Sequence, residues 1–166
     1  QTSSTVSNVV KNFNEVKKVY DQGKEYYDKL KAINNLVKDA RKVQQTVLLV
    51  GDVSEIYVQN FGKMMNDTNF TPQELVAIGN GYSALLNEST ELLKELKQII
   101  TSSSLSLNDK ERMDIIDRVY KEVKDYHSLV RYYTNKNISV SYLRAKKKND
   151  AQRVLELYGT ANQKYW

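Results

Sequence analysis

The sequence predicts an all-α fold: an elongated helical bundle with a long, coiled-coil-like N-terminal helix. Three observations carry this. One proline and six glycines in 166 residues leave out the punctuation that all-β and alternating α/β folds need. The first third of the chain holds a seven-residue apolar repeat, and three capping signals divide the remainder of the chain into helical segments.

The repeat runs through Val6, Val9, Phe13, Val16, Tyr20, Gly23, Tyr27, Leu30, Asn34 and Val37 in alternating steps of three and four. That spacing keeps one stripe facing a partner along a helix. Lys11, Glu15, Lys18, Glu25, Lys29 and Lys31 fall off the stripe, as a solvated face requires. A helix over 5–50 would approach 70 Å at about 1.5 Å per residue. Its tyrosine-rich seam suits packing in a bundle better than a tight two-stranded zipper, and Asn34–Asn35 is its weak point.

Gly51 is expected to close that helix, with Asp52 and Glu55 capping a second over 52–66. Asn66-Asp67-Thr68-Asn69 reads as a loop. Thr71, Pro72 and Glu74 then form a capping box with proline in the first helical position, opening a helix over 72–101. Ser102 to Ser104 end it. Asn108 and Glu111 cap a helix over 109–134, Asn135-Lys136-Asn137 reads as a break, and a last helix over 139–158 closes at Gly159.

A chain of this length fits one domain, 1–166. Charged residues at 27% and apolar ones at 40% exclude a disordered tail. The longest aliphatic run, Val47 to Val50, is far short of the ~20 residues of a spanning helix. Without cysteine there are no disulfides, thiolate metal sites or thiol nucleophiles. A start at Gln1 rather than methionine fits removal of a secretory signal. The net charge of +5 is unevenly spread. Residues 1–50 carry 9 basic and 5 acidic side chains, 51–100 carry 3 and 7, and 101–166 carry 13 and 8. An acidic middle between basic ends suits helices that fold back with opposite signs facing.

Chemistry-bearing patterns are few. Gly79-Asn80-Gly81-Tyr82-Ser83-Ala84 matches a loose dinucleotide-binding pattern, but the mechanism needs a strand, a turn and a helix start. Here it lies inside a segment already begun as a helix, so the glycines read as a close approach between helices. His127, the single histidine, has no carboxylate three or four residues away to share a metal face. Glu88, Glu91 and Glu95, like Asp114 and Asp117, read as charge-pairing groups. These readings predict no enzyme, cofactor, metal site or small-molecule substrate.

Arg144, Lys146, Lys147 and Lys148, with Tyr132, Tyr133 and Tyr142 near them, form the densest basic patch. Such a patch can meet an acidic protein surface, anionic lipid or nucleic acid. Partner contact is assigned to these four cations and to Phe13, where the N-terminal seam thins toward a serine- and threonine-rich end.

Longer stretches carry a resemblance. Asp39-Ala40-Arg41-Lys42-Val43-Gln44-Gln45-Thr46-Val47, Val50-Gly51-Asp52-Val53, Phe70-Thr71-Pro72-Gln73-Glu74-Leu75 and Asp109-Lys110-Glu111-Arg112-Met113-Asp114 resemble the TraI-type protein of conjugative-transposon transfer operons. This is the small secreted helical protein rather than the relaxase of the same label. Tyr132-Tyr133-Thr134-Asn135-Lys136 and Ile138-Ser139-Val140-Ser141-Tyr142-Leu143-Arg144-Ala145-Lys146-Lys147-Lys148 are similar to it too. The resemblance runs from about residue 15 to the end. It implies export to the periplasm or cell surface, and a structural role in a type IV secretion apparatus through contacts with other transfer proteins. More distantly the chain is similar to TrbJ-like minor pilus subunits. The alternative expectation is a nucleic-acid-binding accessory protein using the basic C-terminal helix.

Overall fold

In the computed structural model the described residues are Lys11, 37–101 and 109–159. They form four helices: α1 (Val37–Met65), α2 (Pro72–Thr101), α3 (Asp109–Lys147) and the short α4 (Ala151–Tyr158). Cross-helix pairs set their directions. Lys42 meets Asp117 and Asp52 meets His127, so α1 and α3 run parallel. Glu95 meets Arg118 and Glu74 meets Arg144, so α2 runs antiparallel to α3. The result is a three-helix bundle with α4 folded against one end. At 39 residues, α3 is about 58 Å long. The helical class and the bundle packing expected from the sequence are both present. The seam before Val37, Phe13 and Leu30 included, lies outside the described residues.

Two apolar clusters fill the bundle. One joins Val43, Val47 and Val50 of α1 to Leu92, Leu93 and Leu96 of α2 and to Ile116, Val119 and Val123 of α3. The other, toward α4, is aromatic. Tyr57, Phe61 and Tyr82 are buried, with Tyr133 packed against them, and Tyr82 meets Tyr133 edge-on at 4.9 Å between centroids. Edge-on pairs of this kind add about 0.5–1.5 kcal/mol beyond area burial.

The capping box at α2 forms as expected. The Thr71 N–H donates to Glu74 Oε1 at 3.0 Å, and the Glu74 N–H to Thr71 Oγ1 at 3.2 Å. Phe70 and Leu75, on either side of the cap, are both buried in the aromatic cluster, which is the hydrophobic staple. Gly159 closes α4 at φ 89°, its N–H bonded to Leu155 O at 2.8 Å.

Two expected boundaries are corrected. Gly51 does not end a helix: α1 runs through it, and Asp52 and Glu55 are interior residues rather than caps. Val50 and Val53 are fully buried and Tyr57 nearly so. Burying such side chains stabilises by about 1.5–3 kcal/mol each, which outweighs the ~1 kcal/mol glycine penalty in a helix. Nor do Asn135–Asn137 break α3. Asn137 Nδ2 donates to Tyr133 O at 3.0 Å and Ser139 Oγ to Asn135 O at 2.8 Å, while Thr134 and Ile138 are buried. The polar groups bond back one turn and tertiary burial holds the helix.

The stop comes later, so the expected helix over 139–158 is really the end of α3 plus α4. Asn149 takes φ 58°, a conformation asparagine tolerates better than most residues. The Asn149 N–H then reaches Lys146 O at 3.1 Å and the Asp150 N–H reaches Ala145 O at 2.8 Å. These are the paired bonds of a Schellman cap.

Candidate functional site

The glycine pair of the loose nucleotide pattern lies in mid-helix, on α2. A Cβ at Gly79 would stand 3.0 Å from Phe61 Cζ, and one at Gly81 would come within 2.6 Å of Tyr133 Cζ and overlap its hydroxyl. Close approach between helices is therefore what the two glycines permit. Glu91 pairs with Lys94 and Glu95 with Arg118, as expected for charge-pairing groups. His127 Nε2 lies 2.5 Å from Asp52 Oδ2. That carboxylate comes from α1, so spacing along α3 gave no sign of it. Among the described residues no group of three His, Cys, Asp or Glu side chains is placed to hold a metal. No helix among them is long and apolar enough to cross a membrane.

Of the five residues expected to contact partners, Phe13 lies outside the described residues. The other four divide into two groups. Arg144 is paired at the surface: its guanidinium donates to Glu74 Oε1 at 2.9 Å and Asn69 O at 2.8 Å, and its second arm lies 2.8 Å from Glu74 Oε2. With Arg144 and the Thr71 N–H both bonded to it, Glu74 is held down at a pKa of about 2. Lys148 Nζ reaches Asn69 Oδ1 at 3.4 Å. Lys146 and Lys147 are exposed and have no ion pair among the described residues.

Beneath Arg144 lies a knot built on a stretch whose composition reads as a plain loop. Asp67 is 6% exposed. Its Oδ2 accepts hydrogen bonds from Ser141 Oγ at 2.5 Å and from the Tyr158 hydroxyl at 2.7 Å, and its Oδ1 accepts the Asn69 N–H at 2.9 Å. These bonds tie the α1–α2 turn to α3 and α4. The arrangement holds the end of the bundle together.

The outward surface of α3 differs from the rest in charge and exposure. From Tyr126 to Asn149 the chain has six cations and no carboxylate. Only Arg144 among these cations meets an internal carboxylate within the described residues. On this stretch Leu129, Tyr132 and Leu143 are 46%, 62% and 52% exposed, and Lys136 Nζ lies 5.8 Å over the Tyr132 ring. A break at Asn135–Asn137 would cut this face in two, which is why the sequence hides it. The missing carboxylates are a usable signal.

Comparison with protein-family models, with curated proteins and with solved structures gives no match.

Proposed function

We propose that this chain is a non-catalytic, exported structural component of a conjugative type IV secretion apparatus, working through contacts with other proteins of that apparatus. The observation that carries the contact role is the outer surface of α3, where exposed Leu129, Tyr132 and Leu143 lie on a stretch of chain with six cations and no carboxylate of its own. Large apolar side chains grouped on a charged surface mark interaction sites rather than solvent-facing ones. The transfer-apparatus setting rests on the sequence resemblance alone.

The test is made in donor cells. A photo-crosslinking residue is placed at Tyr132, and at Gln59 and Gln98 as exposed positions elsewhere. Crosslinks to transfer-apparatus proteins, in a non-cytoplasmic fraction, support the reading. A wholly cytoplasmic protein with no crosslink from any position overturns it.

A nucleic-acid-binding role is the second reading, favoured by Tyr132 standing exposed between Arg131 and Lys136. Pairing of Arg144 with Glu74 leaves that patch one forked phosphate-binding cation poorer, with Arg131 its remaining guanidinium.

A further inference from the structure

The outer face of α3 has a linear order. Leu129, Tyr132, Lys136, Leu143 and Lys147 follow one another at steps of three, four, seven and four, and all five are exposed. Partly buried Val140, packed on the aromatic cluster, fills the long step. Steps of three and four hold one side of a helix, so these residues form a single file about 27 Å long. Asp125, one turn before Leu129, is exposed and is the last carboxylate ahead of it; it bounds the file. On the neighbouring helix, Gly81 abuts Tyr133, and exposed Ala77 and Ala84 lie one turn to either side of it. Between Glu74 and Glu88, which lie on the same stripe, this side of α2 is built of small residues.

We propose that this file is a docking seam for an acidic amphipathic helix of a partner protein. It would lie along α3 with its apolar residues on Leu129, Tyr132, Val140 and Leu143 and its carboxylates on Lys136 and Lys147. The inference rests on the protein-contact reading above and adds the chemistry of the partner. Charge and shape select this occupant. A second copy of the same face brings cation against cation, which costs rather than gains. A bilayer surface favours a broad apolar face with cations along its margins, whereas here the apolar side chains are in single file and Lys136 stands within the line. A duplex uses cations and leaves Leu129 and Leu143 without a role. A helix matches all of it. Anchors at such spacing are how amphipathic helices are recognised, and a lysine within an apolar seam fixes register when a carboxylate faces it.

The experiment uses the full chain and a synthetic helix of roughly three heptads, with leucine along one stripe and glutamate flanking it. A matched peptide carries lysine in place of glutamate. Vesicles of phosphatidylglycerol with phosphatidylcholine and a short DNA duplex are the other probes. The acidic peptide is expected to bind, to shift backbone amide resonances between 129 and 147, and to bind at least about tenfold more weakly to the K136E/K147E double variant. Leu143→Ala, neutral in charge, should weaken it as well. These side chains are exposed, so circular dichroism and melting of the variants should match the parent. Equal binding of the basic peptide, no loss on charge reversal, or perturbation of the same amides by vesicles or duplex but not by peptide would each overturn the seam. Failure of the acidic peptide alone also overturns the seam. It leaves the protein-contact reading to the crosslinking experiment, which can find a partner at another surface.

Discussion

Asp67 and Tyr158 stand 91 residues apart in the chain, yet the Tyr158 hydroxyl donates a 2.7 Å hydrogen bond to Asp67 Oδ2. Burial and the neighbouring carboxylate both push the phenol pKa up, so it keeps its proton and remains a donor at any ordinary pH. A buried carboxylate is tolerated only where its oxygens are bonded, and here Ser141 and the Asn69 N–H complete the set. The bond ties the short α4 to the α1–α2 turn.

Loss of that tie should be felt at once. Tyr158→Phe is expected to destabilise by about 1.5–3 kcal/mol, the range for a hydrogen bond to a charged group. Asp67→Ala, which leaves three donors unpaired, should cost roughly 2–4 kcal/mol. Urea denaturation of both variants checks this, and a Tyr158→Phe protein as stable as the parent would remove the knot from the account of stability.

Acid should expose the Glu74–Arg144 pair. Its folded-state pKa is depressed from 4.5 to about 2, first by Arg144 and then by the Thr71 N–H. A depressed carboxyl contributes stability above its unfolded pKa and loses it as pH falls through the folded one. The contribution is therefore whole at neutral pH, and it fades between about 4.5 and about 2. Carboxyl titration by NMR should place Glu74 near the lower value, and Arg144→Gln should return it toward the upper one.

The contact between Gly81 and Tyr133 predicts a coupling. Gly81→Ala would gain up to ~1 kcal/mol of helix propensity, but its Cβ meets the Tyr133 ring. Overpacking of this kind costs about 1–3 kcal/mol, so net destabilisation is expected. Tyr133→Phe removes the clashing hydroxyl and its 3.0 Å bond to Ile78 O. In the double variant the two losses should sum to less than their separate values. Strict additivity in a double-mutant cycle would show that the two residues do not constrain each other.

Two buried tyrosines should respond in opposite ways. The Tyr57 hydroxyl is buried without a hydrogen bond, Ser83 approaching it but not completing one. The Tyr82 hydroxyl shares a 2.6 Å bond with Thr134 Oγ1. Tyr57→Phe should be neutral or stabilising, and Tyr82→Phe should cost about 1 kcal/mol. Thermal melts of the pair test the sign of each.

The helical class, the start of α2 and the end of α4 were legible along the chain, because these rest on local rules. Thr71, Pro72 and Glu74 cap a helix through bonds made within a single turn. Gly159 closes one because it alone adopts that backbone angle cheaply. Where local preference and burial disagreed, burial won. Gly51 and Asn135–Asn137 each carry local penalties near 1 kcal/mol, while the buried valines, Tyr57 and Ile138 beside them are worth more in place. The long reach of α3 follows from that balance, and so does its continuous outer face. Asp67 with Tyr158, Asp52 with His127 and Glu74 with Arg144 were beyond sequence reading for a simpler reason. Residues 70 or more positions apart meet only once the helices have packed, and no local spacing encodes which of many carboxylates will face which donor.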